Sequence, residues 1–310
     1  MTSRLSLIGH RGARGLAPEN TLPSFEAAFA LGVDAIEFDV GMTRDDVVVA
    51  LHNPDLAPFL TRDAQGQWLN DPAPDVRQLM VDELAAYDVG RVNTDSAYGR
   101  QFPEQQAVDG TRIPRLSAVL AAFQQPGREQ VGVCVELKIA PHEPQRYAEP
   151  EAFCRAVLGE LQAANVLTRS SITSFDWRVL AIMQRLSPGL PMAYLSSQTY
   201  RPDPSRLNRE QLLAWTNGMD PQDFGGSVPH MIHAAGGHIW SCDHRDVTPE
   251  AVATAHGLGL RVWAWTANQP EDMNRLIDAG VDGIISDYPN RLRTVAEARG
   301  LALPAAAPSV

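Results

Sequence analysis

The chain has 310 residues, 44% of them hydrophobic, and its 26 basic and 37 acidic residues give a net charge of −11. This length allows a large core, and barrels of this size can form one domain. The acidic balance and the lack of a basic patch make nucleic acid and anionic membranes unexpected partners. An anionic substrate would need its charge met locally, by a few arginine or lysine residues and a metal.

The cysteines and the chain ends indicate a cytoplasmic protein. Only three cysteines occur, with no Cys-x-x-Cys pair, which predicts reduced thiols in a reducing compartment. The first four residues leave no room for a signal peptide before an apolar segment begins. No stretch reaches the roughly 20 apolar residues of a membrane span, so no stable membrane anchor is expected. The segment 301–310 is predicted to be a disordered tail.

Short apolar segments alternate with helical ones, which indicates an α/β protein with a parallel sheet. Nine segments have the character of strands: 5–9, 35–40, 47–51, 132–137, 171–174, 191–195, 238–241, 261–265 and 283–286. Helices with capping or termination signals are predicted from Thr21 to Leu31, from Thr248 onward, from Pro270 to Ala279 and from Asn290 to Arg299. The strand count is one too many for an eight-stranded barrel.

The segment 47–51 is the strand that does not fit. Only a short polar turn around Asp45 separates it from the preceding strand, whereas parallel neighbours need a crossover of about a dozen residues. It is therefore predicted to return antiparallel, as a hairpin that brings His52 beside Asp39. The remaining eight strands predict a TIM (β/α)8 barrel, a single domain over 1–300.

Residues 55–115 do not follow the alternation of strands and helices. The segment is rich in Pro, Asp, Gln and Gly, and it is too long for a plain loop. It is predicted to be a loop-rich insertion after the hairpin, either a lid or a small subdomain. One or two short helices are expected in it, for example around Val81–Tyr87.

Two carboxylates lie one position apart in an apolar strand, at Glu37 and Asp39. Residues i and i+2 of a strand share a face, so the two side chains point the same way. Two buried carboxylates repel each other and are costly to desolvate. A hard divalent cation such as Mg²⁺ or Ca²⁺ would make this arrangement favourable.

Charged side chains gather at the carboxyl ends of the predicted strands. These are the His10-Arg11 pair, the two carboxylates of the second strand, His52 at the end of the hairpin, and the Glu136 and Lys138 pair. Each by itself has a structural interpretation, as an ordinary ion pair or a structural histidine. Their convergence on the end of a barrel where active sites lie favours a catalytic site.

Other candidates are more open on the residues alone. Phe175 and Trp265 either line a substrate pocket or pack in the core. Trp263 and Trp265 are expected to face opposite sides of their strand, and Asp287 is expected to fix the loop after the last strand. The histidines of a second histidine-rich stretch fit no standard zinc pattern: His230, His233, His238 and His244.

A set of short motifs, in order along the chain, resembles the glycerophosphodiester phosphodiesterase family. The motifs are Gly9-His10-Arg11-Gly12, Ala17-Pro18-Glu19-Asn20-Thr21, Glu37-Phe38-Asp39-Val40, Val49-Ala50-Leu51-His52, Glu136-Leu137-Lys138, Ser174-Phe175, Trp265-Thr266-Ala267-Asn268 and Asp282-Gly283-Ile284-Ile285-Ser286-Asp287. The resemblance runs from residue 8 to about 290. The combination is specific to the family, although each short piece is not.

The resemblance implies a TIM barrel with an insertion after the hairpin, and it implies roles for the residues at the rim. It implies Mg²⁺ or Ca²⁺ bound by three carboxylates, those of Glu37, Asp39 and Glu136. It implies that His10 and His52 act as general acid and base and that Arg11 and Lys138 contact the phosphate. Asn20 would support the metal or touch the substrate. One departure is Asn53, where the family often has aspartate after the histidine.

The expected function is metal-dependent hydrolysis of small glycerophosphodiesters, the deacylated phospholipids, to sn-glycerol 3-phosphate and an alcohol. Direct attack by water and attack by the substrate's own hydroxyl through a cyclic phosphate both stay open. One alternative is a lysophospholipase-D-like enzyme acting on lysolipids. Another is a barrel that binds phosphodiesters without hydrolysing them. The sequence does not choose the head group, the metal or the oligomeric state.

Overall fold

The computed structural model describes residues 4–198 and 208–306, and they form a closed parallel barrel surrounded by helices. Its strands are β1 (Ser6–His10), β2 (Ala35–Met42), β3 (Val48–Ala50), β4 (Gly132–Leu137), β5 (Ser170–Ser174), β6 (Met192–Ser196), β7 (Ile239–Asp243), β8 (Arg261–Trp265) and β9 (Gly283–Ser286). Around the sheet, the barrel order is β1-β9-β8-β7-β6-β5-β4-β2, and β2 pairs back with β1 to close it. The predicted TIM barrel is confirmed.

The hairpin prediction is also confirmed. Strand β3 pairs only with β2 among the described strands, antiparallel, with Val40 opposite Ala50. Its direction follows from the short turn, which cannot carry a parallel crossover. The backbone N–H of Leu51 then donates to the carbonyl oxygen of Asp39 at 3.1 Å. His52 is the next residue after Leu51, so the hairpin brings it close to Asp39.

The helices cover the outer face of the barrel. They are α1 (Leu22–Leu31), α2 (Leu116–Phe123), α3 (Pro150–Ala163), α4 (Trp177–Leu186), α5 (Arg209–Trp215), α6 (Val228–Ala234), α7 (Pro249–Gly257), α8 (Pro270–Ala279) and α9 (Pro289–Ala298). Helix α1 begins after Thr21, whose side chain accepts from the backbone N–H of Ser24, and ends at Gly32 with φ of 72°. Glycine adopts this left-handed conformation without a Cβ clash, which explains why the helix stops there.

The alternation of residues along each strand separates two apolar regions. In β2, Ile36 and Phe38 face outward into the large core between sheet and helices, where Phe38 packs against Phe25 of α1 with ring centroids 5.4 Å apart. The intervening residues face the barrel axis. There a small cluster closes the barrel floor: Ile8, Ala35, Cys134, Ala193, Ile239, Trp263 and Ile285. The apolar floor and the charged rim thus come from the same inward-facing series.

The insertion contains short 3₁₀ turns and a small core of its own. The turns are Val76–Gln78, Glu83–Ala86 and Gly99–Gln101, so the helix expected around Val81–Tyr87 is a single 3₁₀ turn. The core consists of Val49, Leu56, Val76 and Leu84, with partly buried residues around them. Because Val49 belongs to β3, this core joins the insertion to the hairpin. The domain limits and the choice between lid and subdomain stay predictions.

The disordered tail expected over 301–310 stays a prediction, although its first residues make defined contacts. Within 301–306, Leu303 packs against the main core, and Arg4 donates to the carbonyl oxygen of Ala302 at 3.1 Å. These contacts bring Arg4, just before β1, next to the segment that follows α9. The rest of the expected tail, 307–310, lies outside the described residues.

The three cysteines are free and buried, as expected: Cys134, Cys154 and Cys242. Burial raises the pKa of Cys134 and of Cys154 to about 12. In the two described ranges, no helix has both the length and the apolar character needed to cross a membrane.

Candidate active site

The carboxyl ends of β1, β2 and β4 place acidic and basic side chains around one mouth of the barrel. His10 pairs with Glu37 across β1 and β2, and Asp39 pairs with Glu136 across β2 and β4. Glu37 and Asp39 continue the inward series of β2, and Glu136 and Lys138 continue that of β4. Parallel register therefore sets residues distant in sequence side by side, at the end of the barrel where active sites lie.

Three carboxylates form a compact cluster there. One oxygen each of Glu37, Asp39 and Glu136 lies within 4.8 Å of the others, and all three residues are buried. In the part of the chain that the structure describes, this is the only such group of three or more potential metal ligands, and the histidine-rich stretch 230–244 forms none.

The three carboxylates of the cluster repel one another and are unfavourable in their ionised forms without a cation. Burial, reinforced by the charges of Asp39 and Glu136, raises the pKa of Glu37 well above its usual value. Burial also raises the pKa of Glu136 to about 7, even though the Lys138 ammonium donates to it at 2.7 Å. A positive charge among these oxygens would reverse both shifts.

Asp39 is fully buried and is held in its ionised form. Burial alone would raise its pKa, but the charges of Arg11, His52 and Lys138 outweigh this and hold the pKa well below its usual range. Arg11 Nε lies 3.1 Å from Oδ2, and Asn20 Nδ2 donates to the same oxygen at 2.9 Å. The other oxygen, Oδ1, makes no hydrogen bond and has Lys138 Nζ at 3.6 Å.

The carboxylate cluster fits a hard divalent cation. Its donors are all carboxylate oxygens, the type that Mg²⁺ and Ca²⁺ take. Asp39 Oδ1 is a buried acceptor that lacks a hydrogen bond, so it is available as a ligand. Asn20 lies behind Asp39, where it also accepts from the Asp39 backbone N–H at 3.1 Å. Of its two expected roles, this position favours support of a metal ligand over contact with substrate.

His10 is oriented by Asp287, which sequence reasoning took to fix a loop. His10 Nδ1 and Asp287 Oδ1 are 2.6 Å apart, and His10 Nε2 lies 3.7 Å from Glu37 Oε2. Burial and the neighbouring Arg14 guanidinium lower the pKa of His10 to about 4 against the opposing effect of Asp287. With its Nδ1–H donated to the carboxylate of Asp287, His10 turns Nε2 toward the cluster of three carboxylates.

Asp287 is itself held by two other side chains. Arg14 donates to both of its oxygens, at 2.7 and 3.0 Å, and Asn268 Nδ2 donates to Oδ2 at 2.7 Å. The Asp287 backbone N–H also donates to Asn268 Oδ1 at 3.0 Å. Burial would raise the pKa of Asp287, but Arg14 and His10 hold it well below its usual range. An ionised acceptor is therefore locked in place behind His10.

His52 has a neutral partner in the corresponding position. Its Nδ1 lies 2.7 Å from the amide oxygen of Asn53, which accepts a hydrogen bond as a carboxylate would but carries no charge. Burial and the charges of Arg11 and Lys138 lower the pKa of His52 well below its usual value. Asn53 therefore orients His52, but as an uncharged acceptor it favours the protonated form through a hydrogen bond alone, and the negative charge that acts in the same direction comes from Asp39.

One cavity of about 350 Å³ at the barrel mouth collects most of the expected site residues. Its lining includes His10, Arg11, Glu37, His52, Glu136, Lys138, Phe175 and Trp265. The insertion also contributes to the wall, through Tyr98, Gln101 and Phe102. Among the expected site residues, the cavity thus brings together two imidazoles, two cations, two of the clustered carboxylates and two aromatic rings.

The aromatic wall corrects one expectation. Trp263 and Trp265 both line the cavity, and Trp265 packs against the inner cluster that contains Trp263. The prediction that they face opposite sides was wrong, because positions i and i+2 share a face. Phe175 and Trp265 form an edge-to-face pair with centroids 5.6 Å apart, and Lys138 Nζ lies 6.0 Å from the Phe175 centroid.

The sequence analysis did not assign a role in the site to Arg14, Tyr98 or Asn268. It expected Asp287 to fix the loop after the last strand and did not connect it with His10. For Asp287 a signal was available: it lies two positions after Ile285, which faces the barrel floor. The same alternation applied to every strand end would have pointed to it. Tyr98 carries no comparable signal, because it belongs to an irregular segment.

The barrel and its mouth define a class of protein: an α/β barrel with a buried carboxylate cluster, two oriented imidazoles and cations for an anionic ligand. The profile of the glycerophosphoryl diester phosphodiesterase family matches residues 10–291. The chain belongs to this family, whose members are phosphoric diester hydrolases.

Individual relatives are similar to this chain over nearly its whole length. A Silicibacter pomeroyi crystal structure, assigned as a glycerophosphoryl diester phosphodiesterase, is 39% identical with a TM-score of 0.86, covering 97% of this chain and 96% of that one. YhdW of Bacillus subtilis, assigned as a glycerophosphodiester phosphodiesterase, is 29% identical over 92% of this chain and 95% of its own. An Oleispira antarctica phosphodiesterase, solved with the product sn-glycerol-3-phosphate, shares the fold at 21% identity, with a TM-score of 0.68 and coverage of 95% and 97%.

Proposed function

We propose that this chain hydrolyses glycerophosphodiesters to sn-glycerol 3-phosphate and an alcohol with the help of a divalent cation. The observation that carries the proposal is one cavity, lined by two members of the carboxylate cluster, in which the imidazoles of His10 and His52 meet the cations of Arg11 and Lys138. The product bound by the Oleispira antarctica relative is the one expected here. Glu37, Asp39 and Glu136 would hold the cation, which when bound polarises a phosphoryl oxygen and offsets its charge.

The cationic side chains would bind the phosphodiester itself. Arg11 and Lys138 both line the cavity and flank Asp39. A guanidinium can donate two parallel hydrogen bonds to phosphate, while an ammonium acts as a point charge. Because both are already fixed by carboxylates, little reorganisation is needed when negative charge grows in the transition state.

The two histidines would share the proton transfers. One imidazole takes the proton from the attacking hydroxyl or water, and the other gives a proton to the leaving oxygen. His10 is held by a carboxylate and His52 by an amide, so the two have different capacities to carry a positive charge. Three free thiols are the support for a cytoplasmic location, which is part of the same proposal.

The proposed function is tested by release of glycerol 3-phosphate from glycerophosphocholine, with Mg²⁺, with Ca²⁺ and with a chelator. Release is expected with at least one ion and is expected to stop with the chelator. Activity on a long-chain lysolipid instead would favour the lysophospholipase-D-like alternative. Binding of glycerophosphocholine without release under any condition would contradict hydrolysis and favour a binding barrel.

Metal affinity is expected to rise with pH. Glu37 and Glu136 have raised pKa values in the metal-free protein, that of Glu136 about 7, and only the ionised carboxylates bind a cation. Binding should therefore release protons, and affinity should fall about tenfold per pH unit below 7 for each proton displaced. Calorimetric titration in buffers of different ionisation enthalpy measures the proton count. A count of zero at pH 6.5 would contradict this prediction.

A further inference from the structure

Tyr98 is a residue of the insertion whose hydroxyl reaches the barrel mouth. It directly precedes the 3₁₀ turn Gly99–Gln101, and its ring lies 4.6 Å from that of Phe59 and 5.2 Å from that of Phe102, centroid to centroid. The hydroxyl donates to Glu19 Oε2 and accepts from Arg14 Nη1 at 2.9 Å. The ring is thus anchored in the insertion while the hydroxyl bonds two residues of the loop after β1.

The bond from Tyr98 to Glu19 connects the hydroxyl to Arg11, the arginine proposed to bind phosphate. Glu19 uses its other oxygen, Oε1, to accept from Arg11 Nη1 at 2.6 Å, and both residues are buried. Arg11 has a φ of 50°, a left-handed conformation that is unfavourable for a residue with a Cβ. Surrounding contacts must therefore hold Arg11 in place, and Glu19 is one of them.

The second bond leads to the general acid–base histidine. Arg14 donates through Nε and Nη2 to Asp287, which in turn fixes His10. Its guanidinium also lies over the ring of Phe102, 4.7 Å from the centroid. The Tyr98 hydroxyl is therefore the acceptor for the one nitrogen of Arg14 that does not bind Asp287.

We propose that Tyr98 is a positioning residue that makes the insertion part of the active site. Resting on the proposed function, this inference adds that one phenol hydroxyl aligns both Arg11, through Glu19, and His10, through Arg14 and Asp287. The hydroxyl bridges Glu19 Oε2 and Arg14 Nη1, which lie 4.0 Å apart. Without the hydroxyl these two charged atoms would lose their shared hydrogen-bond partner and move toward each other, and both chains would shift. A shift of about 1 Å in such groups can cost on the order of 100-fold in rate.

The test is Tyr98→Phe, which removes the hydroxyl and keeps the ring between its two aromatic neighbours. We expect kcat/KM for glycerophosphocholine to fall about 10- to 100-fold and the inhibition constant of sn-glycerol 3-phosphate to rise, with little change in Tm. The matched control is Tyr288→Phe. The Tyr288 hydroxyl also donates across the boundary of barrel and insertion, to the carbonyl oxygen of Gln101 at 3.5 Å. Because this bond does not involve Glu19 or Arg14, loss of the Tyr288 hydroxyl should leave the kinetics near those of the wild type.

Wild-type kcat, KM and product inhibition in Tyr98→Phe would overturn the proposal, as would an equal loss in both tyrosine variants. If Tyr98→Phe does not fold, Glu19→Gln breaks the same link from the barrel side and should give the same kinetic loss. If the wild-type protein does not hydrolyse the diester, the proposed function fails separately. Calorimetric binding of sn-glycerol 3-phosphate then decides, since weaker binding by Tyr98→Phe than by Tyr288→Phe is expected and equal binding overturns the inference.

Discussion

Replacing Glu37 by glutamine is expected to lower metal-dependent turnover by about 10³-fold while making the metal-free protein more stable. The loss follows because a cation supplies several kcal/mol of transition-state stabilisation, and each 1.36 kcal/mol is tenfold in rate. The gain follows because burial, together with Asp39 and Glu136, raises the pKa of Glu37, so its ionised form is disfavoured in the folded state. Opposite signs for activity and stability distinguish a metal ligand from a structural carboxylate.

The measurement is thermal unfolding with a chelator at pH 8, alongside turnover and calorimetric metal binding. The stability difference between variant and wild type should shrink as pH falls from the raised folded-state pKa of Glu37 to its ordinary value of 4.5, below which the carboxyl is as neutral as the amide in both states. The control is Glu160→Gln on the outer helix α3, where burial also raises the carboxyl pKa but no cluster surrounds it. Unchanged metal affinity in Glu37→Gln would contradict the assignment of this residue as a ligand.

The second large effect is expected for the two histidines. His10→Gln and His52→Gln should each lower kcat by about 10²–10⁴-fold, the usual contribution of general acid–base catalysis, with the fold intact. Both side chains line the cavity rather than the core, so their replacement leaves the packing of the barrel unchanged. Turnover with glycerophosphocholine and thermal unfolding are measured for each variant.

A substrate with a good leaving group separates the two roles. A glycerophosphodiester of p-nitrophenol needs little protonation of its leaving oxygen, so the variant that lacks the general acid should recover most of its rate. The variant that lacks the base should stay impaired. His256→Gln is the matched control, because His256 pairs with Asp282 at 2.9 Å at the opposite end of the barrel. Full turnover in both single variants would sink the acid–base assignment.

The barrel was predictable because its determinants are local. Strand segments are apolar and short, helices carry their own start and stop residues, and the turn after Met42 is too short for anything but a hairpin. Counting strands after removing the hairpin then leads to eight. The carboxylates and cations at the strand ends follow from the same register, so their convergence was predictable as well.

The contacts that hold the site residues in place were harder to predict from the sequence, for two reasons. Asp287 and the tryptophan pair could have been placed by the rule that residues i and i+2 of a strand share a face. The expectation that Trp263 and Trp265 face opposite sides did not apply this rule. Tyr98 and the last described residues have no such rule. Their positions depend on long-range contacts, with Tyr98 bonding Glu19 across 79 residues of sequence.

The sequence by itself determined the eight-stranded barrel, the hairpin and which ionisable residues gather at its mouth, because periodicity, caps and strand ends are local properties of the chain. Tertiary structure alone decided what holds those residues in place. A carboxylate orients His10 and an amide orients His52, and a phenol from the insertion contacts the loop that carries Arg11. These partners are selected by packing between distant segments, which no local pattern encodes.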